Sequence, residues 1–214
     1  MTTRWMGLLL IGGIVLFGVW IAPRIQTPVP LHSNDMAQVD LWATPVEALV
    51  TIPGCALGLF LIALILRRGQ HTDAHAQYLD RIAWLVFNLM IAMLGVMFVA
   101  LLGRADGWVT EVRRAVVFAF GLALMVMSYY LPYAQSKEWV GIRTPWTLAD
   151  ERIWGKTHLV GRWMFLWGGI MICCAAWLSK PYRRDLSMAG FMIAVIVPII
   201  ASYCFWRREY RAQE

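Results

Sequence analysis

Six long apolar runs alternate with short polar clusters along this chain. The runs cover about residues 5–22, 48–66, 82–102, 115–131, 159–178 and 186–206. At 1.5 Å of rise per residue, runs of about 17 to 21 residues cross a hydrocarbon core of ~30 Å as helices. The punctuation between them agrees. Arg4 precedes the first run and Pro23-Arg24 stops it, Pro132 ends the fourth, and the turn SKPYRRD separates the fifth from the sixth. Pro198 predicts a kink in the last run. Pro53 is expected in the first two turns of the second helix, where a missing N–H costs least. Gly54 and Gly58 form a GxxxG pair, a spacing that lets a neighbouring helix of the same bundle approach closely. The first run reads as a retained helix: it is too long for a signal-peptide core, and no A-x-A site follows. Trp5, Trp20, Trp84, Trp108, Trp163, Trp177 and Trp206 gather near run ends as an interfacial belt. The pattern predicts an all-α fold: a polytopic membrane bundle of six transmembrane helices spanning 1–214 as one integral membrane domain.

Composition sharpens this. The chain is 60% hydrophobic and 15% charged, with mean hydropathy +0.60. A soluble domain of this size could not hide so much apolar surface. The net charge of +6 does not indicate direct nucleic-acid binding, because the basic residues flank apolar runs instead of forming one patch. Such cations hold orientation and touch anionic membrane lipid. With the N-terminus inside, twelve Lys and Arg fall on the cytoplasmic side and seven on the other. This bias predicts a multi-pass protein of the bacterial cytoplasmic membrane with both termini cytoplasmic. The cysteines, Cys55, Cys173, Cys174 and Cys204, lie inside apolar runs without metal-site spacing and read as small buried hydrophobes.

Chemistry must then be sought in the polar clusters. No Asp, Glu, Lys, Arg or His lies mid-run, which counts against an ion-coupled transporter. Asn88 is the clearest mid-run polar side chain and is expected to bond a neighbouring helix. His71, Asp73 and His75 fit no metal template and read as a solvated loop, helical from about Asp73. Residues 23–47 contain four prolines and should be extended and stiff. Within them, His32, Asn34, Asp35 and Asp40, followed by Trp42, fit either recognition of a metal or peptide amine, or turn chemistry at Ser33-Asn34-Asp35.

The richest cluster is WVGIRTPWTLADERIWGKTH, Trp139 to His158. Gly141 permits a tight turn, and Thr144-Pro145 forces extended backbone. Thr147 is expected to cap a short cytoplasmic helix before the fifth span, with Asp150 and Glu151 in its first turn and Arg152 and Lys156 later. Leu148, Trp154 and the aliphatic part of Arg152 are placed at the membrane interface. On these grounds the segment is an amphipathic connector or a partner-binding element.

These residues resemble the SdpI family of bacterial membrane immunity proteins. Tyr130-Leu131-Pro132, Gly141 to Leu148, Trp154 to His158 and Gly161 match its pattern, with Tyr129 where the family usually has Asn. Pro30, His32, Asn34, Asp40, Trp42 and Pro53 resemble, more weakly, a domain often found at the N-terminus of this family, here 1–66; the main resemblance covers 113–214. The likeness implies immunity to a sporulation-delaying-type peptide toxin, and possession of a winged-helix repressor as a second partner, held at the membrane as part of signalling. It implies no catalysis and no cofactor or metal. The residues it marks for partner binding are Gly141, Arg143, Thr144, Pro145, Trp146, Thr147, Trp154, Lys156 and His158, and in the outer loop His32, Asn34, Asp40 and Trp42. Arg143, Arg152 and Lys156 are the expected charges, with Trp146 and Trp154 as anchors. Two other readings stand beside it. One is a transporter or exporter of a peptide or lipid-like substrate. The other is an intramembrane enzyme using His32 and Asp40, or His158 and Asp150.

Overall fold

A computed structural model describes residues 2–26, 28–33, 39–66, 74–134 and 141–211. In order these form helix α1 (Thr2–Ile21), strands β1 (Val29–Ser33) and β2 (Val39–Ala43), and helices α2 (Pro45–Leu66), α3 (Ala74–Ala105), α4 (Val112–Tyr130), α5 (Pro145–Ala149), α6 (Glu151–Ala175) and α7 (Lys180–Arg211). Among the described residues, six helical segments are long and apolar enough to cross a membrane: Arg4–Arg24, Pro45–Leu66, Asp80–Ala105, Val112–Tyr133, Glu151–Ala175 and Lys180–Tyr210. Their outer faces carry fully apolar side chains, such as Leu9 at 75% and Leu16 at 71% exposure. Only lipid solvates such a surface without penalty. The protein is an all-α, multi-pass membrane protein.

The chain divides into two compact units, residues 1–116 and 117–214. In the first, α1 and α3 run parallel, with α2 returning between them in sequence. Ion pairs mark both ends of the α1–α3 pair: Arg4 to Asp80 at 3.5 Å and Arg24 to Asp106 at 3.7 Å. Ile14, Phe60, Ile91 and Phe98 form the core between the helices. Asn88 is buried beside Gly7 of α1, so the mid-run amide does meet a neighbouring helix. At 32 residues, α3 is about 48 Å long, more than the hydrocarbon core requires. It begins at Ala74 because the second half of the loop before the third run is helical. It stops at Gly107, whose φ of +89° reverses the chain while Trp108 and Val109 N–H both donate to Gly103 O at 3.0 Å.

One expectation is refined and two are corrected in this unit. The proline-rich segment is not merely extended: β1 and β2 pair antiparallel, Val29 opposite Ala43, Pro30 opposite Trp42, His32 opposite Leu41, with irregularities on either side of His32. A two-stranded hairpin tolerates Pro30 because each strand has an edge that needs no N–H. Second, α2 starts three residues earlier than the apolar run. Thr44 N–H donates to Glu47 Oε2 at 2.8 Å and Glu47 N–H donates to Thr44 Oγ1 at 3.3 Å, a reciprocal cap. Pro53 therefore sits in the third turn, not the first two. Third, a Cβ at Gly54 or Gly58 would meet nothing within 4 Å, so the GxxxG pair admits no helix of the first unit.

In the second unit, α6 packs along α7, and two adjacent glycines decide its position. A Cβ on Gly168 would lie 2.4 Å from Gly190 O of α7, and one on Gly169 would lie 2.7 Å from Gly121 O of α4. Backbones touch there, on both sides of α6, because no side chain intervenes. The α6–α7 turn is held by Arg183, which is buried and donates from Nε and Nη2 to Leu178 O at 3.2 and 3.0 Å. Helix α7 continues through Pro198.

Candidate functional site

The polar segment from Gly141 onward folds back onto the start of α6. Gly141 has φ +143°, a region that disfavours side chains. A Cβ there would also lie 2.6 Å from His158 Nε2 and 2.6 Å from the Trp154 ring. The turn presents Ile142 N–H to His158 Nε2 at 3.0 Å. His158 Nδ1 lies 2.8 Å from Trp154 O. Since Nε2 accepts, the proton is on Nδ1 and donates to that carbonyl, so both ring nitrogens are engaged by backbone. Trp154 and His158, one turn apart, stack at 4.0 Å between centroids. Trp154 Nε1–H donates to Ala134 O at 2.7 Å, tying the chain after α4 to α6. Gly161 completes the convergence: a Cβ there would meet Leu131 at 2.6 Å and Ile142 at 2.9 Å.

The short helix α5 is built on threonines. Thr144, in extended backbone, is its N-cap, with Pro145 at the first helical position and Thr147 at the third. Thr147 N–H donates to Thr144 Oγ1 at 3.3 Å and Thr144 N–H donates to Thr147 Oγ1 at 2.9 Å. Thr147 Oγ1 also lies 2.9 Å from Ile142 O, so one buried hydroxyl closes the whole turn. The expected cap at Thr147 is thus moved to Thr144. The helix ends after one turn, because Asp150 returns to extended backbone (φ −142°, ψ 121°) and caps α6, accepting from Arg152 N–H at 2.7 Å. The fifth span therefore starts at Glu151, and Asp150 precedes its first turn.

Other residues face α7. Trp146 Nε1–H donates to Ser202 Oγ at 2.6 Å, and Ser202 in turn donates to Ile199 O at 2.6 Å. Trp146 packs its ring on Tyr203 and Trp206 at 5.5 and 6.3 Å. Lys156 forms an ion pair with Glu209. Trp154, Thr147 and His158 are buried, so the Trp154 ring faces the inside of the unit. Arg143, Leu148, Arg152 and Lys156 are exposed. Ser202 and Glu209 escape sequence reading. Their available signals are a single hydroxyl within an apolar run and a lone carboxylate within the basic tail.

His32 and Asp40 fall on β1 and β2, and Trp42 is exposed opposite Pro30. Asn34, Asp35, His71 and Asp73 lie outside the described residues. Trp42, Pro28 and Pro30 border a shallow, open hollow of about 430 Å³ whose other side is formed by Arg104, Gly107 and Thr110. Arg104 Nη1 donates to Thr110 O at 2.5 Å there.

The turn, Trp154, His158 and Gly161 form a single cross-linked unit within residues 134–204, and those residues match the SdpI/YfhL protein family. This segment belongs to the SdpI/YfhL family. Over 125 residues the chain is 21% identical to Immunity protein SdpI of Bacillus subtilis (strain 168). That similarity covers 58% of this chain and 60% of the relative's length. No solved structure matches the chain. Within the SdpI/YfhL segment, the distinctive residues bond one another before they offer anything to a partner.

Proposed function

We propose that this chain is a membrane immunity protein acting without catalysis, protecting a bacterial cell against a membrane-active peptide toxin of the sporulation-delaying type. The observation that carries the reading is the coincidence of the SdpI/YfhL match with the cross-linked segment built on Gly141, Trp154 and His158. The similarity to an immunity protein supports it. The engagement of both His158 ring nitrogens by backbone supports a non-catalytic role, since neither is available for acid–base work. In this proposal the chain sits in the cytoplasmic membrane with both termini inside. The β1–β2 hairpin meets toxin outside, and the exposed Arg143 beside α5 anchors the surface for a winged-helix repressor inside.

Expression in a toxin-sensitive host tests the first part. Cells carrying the chain should survive a sporulation-delaying-type peptide that kills the empty-vector control, and Gly141→Ala should abolish survival. Equal killing with the wild-type chain correctly inserted removes the immunity reading. For the second part, a repressor should move to the membrane fraction with the wild-type chain and return to the soluble fraction with Arg143→Glu.

A further inference from the structure

An open groove of about 710 Å³ lies between the N-terminal end of α6 and the C-terminal end of α7. Asp150, Arg152 and Lys156 line it from one side, and Arg208 and Glu209 from the other. These five charges are not equally available. Asp150 is committed to capping α6. Lys156 and Glu209 neutralise each other across the groove. No carboxylate among the described residues pairs with Arg152 or Arg208, and both are exposed. Two guanidinium groups are thus left beside the positive end of a 25-residue helix. Guanidinium forks match the oxygens of a phosphate.

The other walls say which phosphate. Phe205 and Tyr210 complete the lining. Tyr210 ends a ladder of rings: Tyr203 to Trp206 at 5.9 Å and Trp206 to Tyr210 at 5.4 Å, with Trp146 joining from α5. The ladder occupies the end of a membrane-crossing helix, the position where tryptophan and tyrosine rings settle at headgroup depth. A free phosphate gains nothing from these rings. A phospholipid gains from both walls, its headgroup on the arginines and its glycerol and upper acyl chain along Phe205 and Tyr210.

We propose that Arg152 and Arg208 bind the phosphate headgroup of an anionic phospholipid in this groove, and that the Lys156–Glu209 pair sets the groove's charge. Opposite signs follow for neighbouring substitutions. Glu209→Gln removes a carboxylate and releases Lys156, so it should tighten binding. Lys156→Gln leaves Glu209 uncompensated and should weaken it.

The test uses the full chain in neutral detergent micelles, with lipid occupancy read by native mass spectrometry. Phosphatidylglycerol should be retained over phosphatidylcholine. Arg152→Gln and Arg208→Gln should each lower its affinity about fivefold, the usual effect of one basic side chain near a membrane surface. Glu209→Gln should raise affinity by a similar factor, and Arg184→Gln, at the opposite end of α7 from the groove, should leave it unchanged. Tryptophan fluorescence melting in the same micelles confirms that each variant is folded. Equal retention of the two lipids overturns the proposal. So does weaker binding in Glu209→Gln, which would mark the ion pair as merely structural. Inorganic phosphate or a poly-glutamate peptide displacing phosphatidylglycerol at equal concentration would reassign the groove to a soluble anion and also overturn it.

Discussion

His158 shows how one side chain can organise a segment without doing chemistry. Its ring accepts from Ile142 and donates to Trp154, so it splices a turn to a helix sixteen residues later in the chain. Replacing it by alanine leaves a backbone N–H without its partner and opens a void under Trp154. His158→Ala should cost about 2–4 kcal/mol of stability. Trp154→Phe keeps the stack and loses only the bond to Ala134 O, at about 1–2 kcal/mol. Thermal unfolding in micelles ranks the two, and equal losses would show that the ring nitrogens contribute nothing. Gly141→Ala combines a strained φ with close contacts to two rings and should cost about 3 kcal/mol. Much of this was legible in outline. Gly141, Thr144, Pro145 and Thr147 announce a turn and a cap by their residue types. Which threonine caps was not legible, because both are competent and only the path of the chain selects Thr144.

Helix boundaries moved for similar local reasons. Helix α6 begins eight residues before its apolar run because Asp150 offers a cap and Glu151 to His158 can be helical without being in hydrocarbon. The α6–α7 contact depends on backbone proximity at Gly168 and Gly190. Gly168→Ala should force the helices apart and lower the melting temperature by several degrees, because its Cβ meets a carbonyl and not a flexible side chain. Gly155→Ala is the matched control: nothing lies within 4 Å, so relief of glycine's entropy should stabilise α6 by roughly 0.5–1 kcal/mol. If both alanines behave alike, close packing at Gly168 is not what holds the pair. Lys156 is 53% exposed, so breaking its pair with Glu209 should change stability by no more than about 1 kcal/mol.

For the molecule as a whole, the positive-inside rule makes a directional prediction. In a variant lacking the native cysteines, Leu31→Cys on the hairpin should react with a membrane-impermeant maleimide added to intact cells. Arg143→Cys should react only after permeabilisation. The reverse pattern would invert the topology and move the exposed arginines outside. The two ion pairs at the ends of α1 and α3 fit the same scheme, since they fix two spans as parallel and so require α2 between them to return.

The six spans follow from sequence alone, because a run that must satisfy its own backbone in lipid has no alternative to a helix. The composition of the Trp139–His158 cluster likewise marks it as special before any fold is known. Tertiary structure alone decided what its residues do. The partners of Trp146, Trp154 and Lys156 lie 56, 20 and 53 positions away, and nothing in local propensity names them. It also made a hairpin of a proline-rich loop, where pairing, not propensity, satisfies the backbone. And it separated the charges: five ionisable residues that look alike in sequence become a cap, a neutral pair and two available arginines only when α6 and α7 lie side by side.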